Sequence, residues 1–324
     1  MRILVCGGAG YIGSHMVNHL QHQGHDVVVF DNLSTGHRES VADAEFVTGD
    51  IRDASALDMA FSRMDVDAVM HFCARSLVGE SMVLPYDYYE NNLGGTLTLL
   101  QAMRRAGVSK LVFSSTAAVF GNPGALVIDE DHPTNPINPY GASKLMVERV
   151  LQDAATAYGL RSVSLRYFNA AGADPSGRIG EAHEPETHLI PNILRSMLGH
   201  GAVLKVFGDD YTTRDGTCVR DYVHVNDLAS AHLSALEFMQ DRAGAHVFNL
   251  GNGTGFTVRE VIRAAEQVTG KTIAFERAPR RAGDPAVLVA SSERARRDLG
   301  WTPHFTDIAG IIDTAWRWHC NARY

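Results

Sequence analysis

Tyr140 and Lys144 stand four residues apart in NPYGASKLMVER, residues 138 to 149, so a helix over this segment puts both on one face. A phenol with a reference pKa of about 10 is a poor base at neutral pH. An ammonium held about 4 Å away in a partly wet site favours the phenolate by roughly 4 kcal/mol at an effective dielectric of ~20. That could lower the phenol pKa by up to about 3 units, less whatever desolvation takes back. The pair could then exchange a proton with a substrate hydroxyl near neutral pH. Spacing alone is weak support, because ten Tyr with only four Lys (Lys110, Lys144, Lys205, Lys271) give such a pair by chance in roughly one sequence in eight. A target for the proton must come from elsewhere in the chain.

Two other segments supply it. GGAGYIG at residues 7 to 13 follows the first apolar run and opens a helical pattern, with Gly7, Gly10 and Gly13 in Gly-x-x-Gly-x-x-Gly spacing. Such glycines let the backbone turn sharply and approach a pyrophosphate, while unpaired amides at the helix start donate to it. Asp31, 18 residues beyond Gly13, ends the second apolar run, where a carboxylate accepts from adenosine ribose hydroxyls and repels a 2′-phosphate. NAD is therefore the expected cofactor. Asp50 and Ile51 end the third run and suit the edge and face of adenine. SST at residues 114 to 116 ends the fifth, and Thr116 can offer its hydroxyl to the oxygen that Tyr140 serves.

The segments that must position these groups are short apolar runs at 3–6, 26–30, 45–49, 67–72, 110–115 and 161–168, most of them separated by stretches of helical periodicity. Parallel strands joined by right-handed crossovers give an α/β fold, a Rossmann-type doubly wound parallel sheet. Strands that are apolar throughout fit burial on both faces. After residue 168 the rhythm breaks into loops rich in Gly, Pro and acidic residues. Helices are expected at 188–199, 225–240, 257–269, 291–299 and 307–318, with strands near 203–207, 246–250 and 272–276. This divides the chain into an NAD-binding domain over 1–168 and a smaller C-terminal α/β substrate domain over 169–324, with helix 225–240 returning to the first.

With 324 residues, 45% of them hydrophobic, the chain can bury a large core, and a net charge of −8 argues against nucleic acid or an anionic membrane as partner. The opening MRILVCGGAG is too short for a signal-peptide core, so a cytoplasmic location is expected. Four scattered Cys and 15 His show no metal-ligand spacing, so no metal is expected. Among the histidines, His188 is the best candidate for a substrate contact.

GGAGYIGSH, DNLSTG, HFCARSLVGES, FSSTAAVFG, NPYGASKLMVE, LRYFNAAGADPSG, GTCVRDYVHV, FNLGNGTGFTV and RRAGDPA stand here in one order and spacing. In these the chain resembles the extended short-chain dehydrogenases/reductases and, more narrowly, the bacterial UDP-glucose 4-epimerase family, from Met1 to about Trp318. The resemblance implies NAD-dependent interconversion of UDP-glucose and UDP-galactose. Tyr140 would take the 4-hydroxyl proton as hydride leaves sugar C4. The 4-keto intermediate would then rotate and be reduced on its opposite face. Lys144 would hold the cofactor ribose and Thr116 the reacting oxygen. The resemblance further assigns Tyr11, Ile12, Asp31, Asn32, Asp50, Ile51, Phe72, Asn91, Ser114 and Tyr167 to the dinucleotide. Asn169, Arg220 and Arg281 fall to the substrate diphosphate, Tyr222 and Asp284 lie near uridine and ribose, and backbone near Leu189 and Phe207 meets uracil. The forked guanidinium of each Arg suits pyrophosphate. Such proteins are usually homodimers.

Leu288 falls where relatives place either a large Tyr or a small residue that admits a 2-acetamido sugar, so activity mainly on the unsubstituted pair is expected. A 4,6-dehydratase would need an Asp-Glu pair after the threonine, and Ala117 and Ala118 stand there instead. A sister epimerase for a uronic or otherwise modified sugar is the rival reading, since few changes accommodate one charged group. A catalytically silent NAD-binding regulator could dispense with Tyr140 and Lys144, and both are present.

Overall fold

The computed structural model describes residues 1–62, 65–200, 203–281 and 284–324; Ala282 and Gly283 of the RRAGDPA segment lie outside them. Six strands occupy the first half: β1 Arg2–Cys6, β2 Asp26–Asp31, β3 Glu45–Thr48, β4 Ala68–His71, β5 Lys110–Thr116 and β6 Arg161–Tyr167. Helices α1 Tyr11–His22, α2 Ala54–Ser62, the short α3 Val78–Ser81 and α4 Pro85–Tyr88, α5 Gly95–Arg105 and α6 Pro139–Tyr158 lie between them. Alternation along the strands sends side chains to two separate cores. Ile3 and Val5 pack towards α1, whereas Leu4 and Cys6 pack with Leu57 of α2, Leu99 of α5 and Val147 of α6.

Beyond β6 come β7 Asn169–Ala171, α7 Leu189–Met197, β8 Leu204–Phe207, β9 Val219–Arg220, β10 Tyr222–His224, α8 Val225–Asp241 and β11 Ala245–Leu250. The chain ends with β12 Phe256–Thr257, α9 Val258–Thr269, β13 Phe275–Ala278, β14 Val287–Leu288, α10 Glu293–Leu299 and α11 Ile308–Cys320. The large sheet has seven strands in the order β11-β6-β5-β4-β1-β2-β3, all neighbours parallel. The strand read at 246–250 as part of the smaller domain is therefore β11, an edge of this sheet, with α8 as its crossover. Leu228, Leu236 and Met239 of α8 join the core that holds α1. The chain crosses the boundary drawn at 168 and comes back.

The second unit is assembled from short strands: β7 with β10, β8 with β13, and β12-β9-β14. Helices α7, α9 and α11 close a separate core around Ile193, Leu194, Val261, Ile311 and Ile312. It lies beyond the carboxyl ends of β5 and β6, because β7 follows β6 after a single residue, Phe168. No described helix is long and apolar enough to cross a membrane.

Candidate active site

The glycine turn divides its labour. At Gly7, with φ at +78°, a Cβ would lie 2.6 Å from the Cys73 nitrogen, and at Gly13 it would lie 2.1 Å from the Gly7 oxygen, so both glycines are required by packing. At Gly10 the nearest atom to a Cβ is the Gly7 oxygen at 3.5 Å, which leaves that flank open as a cradle. Helix α1 starts there with no side-chain cap and no acidic residue in its first turn. Its first amides keep donors for an anion such as a pyrophosphate.

Asp31 Oδ2 accepts from the Ala9 amide at 2.9 Å, and Oδ1 accepts from Leu33 at 2.8 Å. The carboxylate ties the end of β2 to the glycine turn while its remaining lone pairs can take ribose hydroxyls. Burial raises its pKa against those amide bonds. Asn32 donates to Asp50 at 2.9 Å, and Arg52 forks onto Asp50, holding that carboxyl well below the usual range. Ile51 is buried under Gly95, where a Cβ would approach within 2.6 Å of Ile51 Cγ1. Phe72 lies against the His232 ring, centroids 4.8 Å apart. Asn91 donates to Asn92 at 3.0 Å within a π-helical turn, Tyr89–Gly94. Open cradle, uncapped helix and strand-end carboxylate together fit a dinucleotide. Tyr11 puts its hydroxyl elsewhere, donating to the Gly172 carbonyl at 2.6 Å and stitching α1 to the second unit.

Asn138 caps α6 by accepting from Gly141 N at 2.8 Å, and Pro139 fixes the first helical position. Gly141 is decisive for placement: a Cβ there would sit 2.5 Å from the Ala118 carbonyl oxygen. The helix start therefore packs tightly on the turn Ala117–Phe120 that follows β5, which brings Tyr140 to the Thr116 side of the strand end, where the Thr116 hydroxyl favours the phenolate. Thr116 Oγ1 itself accepts from Ala118 N at 3.1 Å. Lys144, 2% exposed, donates to the Ser114 carbonyl at 2.8 Å and rests over the Phe113 ring at 4.7 Å. Tyr167 and Ser114 bond through their hydroxyls beside it.

The lowering of the Tyr140 pKa expected from Lys144 is not realised in the protein alone. Burial raises the phenol, and the Thr116 hydroxyl is what opposes it. The ammonium is committed to Ser114 and Phe113, and burial pulls Lys144 down to about 7 against the attraction of Cys73 and Glu148. For the phenol, desolvation outweighs the Thr116 hydroxyl.

Sequence reading missed the supports of this pair. Asn92 holds the Arg75 backbone through bonds of 2.8 and 3.0 Å and donates to Ser143 at 3.0 Å, and Ser143 donates to the Tyr140 carbonyl at 2.8 Å. One turn past Lys144, Glu148 accepts from Arg166 at 2.9 Å and from Ser115 at 2.6 Å in a buried cluster. A carboxylate four residues after Lys144, and an Arg inside the apolar run RSVSLRYF, were the available signals.

On the substrate side, Arg220 on β9 ion-pairs with Asp284, Arg281 lies over the Phe207 ring at 4.1 Å, and Asn169 donates to the Asp221 carbonyl at 2.8 Å. These four regions therefore converge. Asp221, also missed, is fully buried and accepts from Asn252 and Gly253 amides at 2.8 and 3.0 Å and from Ala290 at 3.1 Å, fixing β9 and β14 side by side. Tyr222 is buried in the second core, and Leu189 begins α7. Leu288 pairs with Arg220 in the ladder and packs on the cluster of Ala117, Val119 and Phe120, directly after Thr116. His188 points Nδ1 at Glu181; although burial lowers its pKa, that carboxylate lifts it to about 8.

The chain belongs to the NAD dependent epimerase/dehydratase family, which it matches over residues 3–251. NAD is accordingly its cofactor. Among curated relatives, the UDP-glucose 4-epimerase of Halalkalibacterium halodurans is 54% identical over 319 residues, 98% of this chain and 96% of the relative. The UDP-glucose 4-epimerase of Lacticaseibacillus casei is 53% identical over 322 residues, covering 99% and 97%. The crystal structure of UDP-glucose 4-epimerase from Brucella ovis in complex with NAD superposes with a TM-score of 0.95 at 48% identity, covering 97% of each chain. The UDP-Glc/GlcNAc 4-epimerase of Campylobacter jejuni superposes at 0.87 with 42% identity, covering 99% of each.

Proposed function

We propose that this chain interconverts UDP-glucose and UDP-galactose by inverting sugar C4, with Tyr140, Thr116 and Lys144 as its catalytic residues. The observation that carries this reading is the start of α6, with Tyr140 and Lys144, seated against the carboxyl end of β5 by the close approach of Gly141 to Ala118 and by the Lys144 bond to the Ser114 carbonyl, beside Thr116. When bound, NAD supplies the oxidant and then the reductant at C4, and its positive ring favours the phenolate. Thr116 hydrogen-bonds the sugar 4-oxygen, Tyr140 accepts its proton and later returns it, and Lys144 holds the cofactor ribose. Gly7, Gly10 and Gly13, the Tyr11 and Ile12 amides, Asp31, Asn32, Asp50, Ile51, Phe72, Asn91, Ser114 and Tyr167 hold the dinucleotide.

The substrate diphosphate falls to Asn169, Arg220 and Arg281, with His188, at the start of α7, as a further substrate contact. Tyr222, Asp284, Leu189 and Phe207 accommodate the uridine. Strong anchoring at the nucleotide leaves the hexose free to present either face, which inversion requires. Leu288, wedged between Arg220 and the turn after Thr116, limits the space at the sugar and favours unsubstituted hexoses. Exposed Met82 and Val83 before α4, Tyr86 on it, Leu97 on α5 and Met146 on α6 are apolar surface that a homodimer would cover. The reading places the enzyme in the cytoplasm.

The test mixes purified protein with UDP-galactose and follows UDP-glucose, alongside Tyr140→Phe. The parent converts the substrate and the variant loses at least about a hundredfold in rate. An inactive parent, or a variant as fast as the parent, sinks the reading. Leu288→Ala should raise turnover of UDP-N-acetylglucosamine relative to UDP-glucose; an unchanged ratio would remove Leu288 from the specificity argument.

A further inference from the structure

We propose that Glu181, His183, Glu186 and His188 form a binding site for a divalent transition-metal ion of the Zn²⁺ class. One ligand-capable atom from each lies within 4.8 Å of all the others. His183 Nδ1 is 3.1 Å from Glu181 Oε1 and 3.9 Å from Glu186 Oε2, and His188 Nδ1 is in direct contact with Glu181 Oε1. The edge of a tetrahedron with bonds of ~2.1 Å is about 3.4 Å. Two imidazoles with two carboxylates suit Zn²⁺, Co²⁺ or Ni²⁺, whereas Mg²⁺ and Ca²⁺ take shells of oxygen alone.

Charge points the same way. The Glu181 and Glu186 side chains are only 4% and 2% exposed, and among the described residues both pair only with His183 and His188, with no Lys or Arg in reach. Carboxylates so buried need positive charge close by. The two imidazoles are 29% and 51% exposed and give an ion its way in. The surroundings are also set: Glu186 Oε1 accepts the Thr187 and His188 amides at 2.7 and 2.8 Å, leaving Oε2 for an ion, and the Trp318 indole fixes the Glu181 carbonyl at 2.9 Å. All four ligands lie in the loop between β7 and α7, which an ion would clip beside Tyr11, whose ring meets His183 edge-on at 6.2 Å.

The experiment titrates ZnCl₂, and MgCl₂ in parallel, into the chelator-treated full chain with its NAD retained, by calorimetry. One saturable Zn²⁺ site per chain is expected, with no Mg²⁺ site. Affinity should fall at least about tenfold in His183→Gln and in Glu186→Gln, and stay unchanged in Cys320→Ser, which removes the exposed thiol. Co²⁺ bound by the parent should show visible ligand-field bands without a thiolate charge-transfer band, a readout that needs no variant to fold. Absence of saturable Zn²⁺ binding, binding unaltered in both ligand variants, or a thiolate band overturns the proposal. These titrations read ion binding alone, and the UDP-galactose assay decides epimerisation separately.

Discussion

Lys144 carries a cost that its neighbours only partly offset. Burial pulls its pKa down to about 7, while in the unfolded chain it titrates near its ordinary value of 10.5. Below about pH 7 the ammonium is charged in both states and the folded protein bears the full penalty. The penalty shrinks as pH rises from about 7 towards 10.5, where both states become neutral. Lys144→Met should therefore gain stability over the parent at pH 7 and lose most of that gain by pH 10, while activity disappears. Melting curves at the two pH values check this, and an equal shift at both would contradict it. Glu148 and Arg166 make the opposite case. Glu148→Gln leaves the Arg166 guanidinium buried with its charge uncompensated, and among the described residues its Nη1 already has no hydrogen-bond partner. A loss of about 3–5 kcal/mol is expected in urea unfolding, against a smaller loss for Glu148→Leu with Arg166→Met.

Helix α6 acts as a unit whose position is set at one end. Asn138 and Pro139 start it, Gly141 lets it touch the turn after β5, and Ser143 ties it to Asn92 in the π-helical turn Tyr89–Gly94. Gly141→Ala should push the helix start away from Ala118, separate Tyr140 from Thr116, and lower kcat by about a hundredfold, with KM for the UDP-sugar little changed. Steady-state kinetics decide it, and an unchanged kcat would mean that the contact does not place Tyr140. The NPYGASK segment announces the helix, its start and its two reactive groups. It does not announce that Gly141 faces a carbonyl 2.5 Å from where its Cβ would be, because that carbonyl arrives from residue 118 through the fold.

In the whole molecule, two cores meet across the ends of β5 and β6, joined by the Tyr11–Gly172 bond and by the return of α8 and β11 to the large sheet. A ligand that touches both should stabilise both together. UDP at about one hundred times its Kd should add ~2.7 kcal/mol to unfolding, and Arg220→Ala should abolish that increment without altering the one given by NAD. An unchanged increment from UDP would release Arg220 from the nucleotide site. The sequence by itself determined what is local: strand and helix periods, the glycine turn, the capped start of α6, and the spacing that puts Tyr140 and Lys144 on one face of it, since each depends on spacing within one element. Only the tertiary structure decided what depends on long-range pairing. β11 was assigned to the smaller unit because nothing in AHVFNL states that its partner is β6. How far desolvation raises the Tyr140 pKa in the protein alone was not legible, because it depends on every group packed around the phenol, not on the lysine one turn away. Glu181, His183, Glu186 and His188 show no ligand spacing, yet they converge because the loop between β7 and α7 folds back on itself, with the Trp318 indole of α11 holding the Glu181 carbonyl.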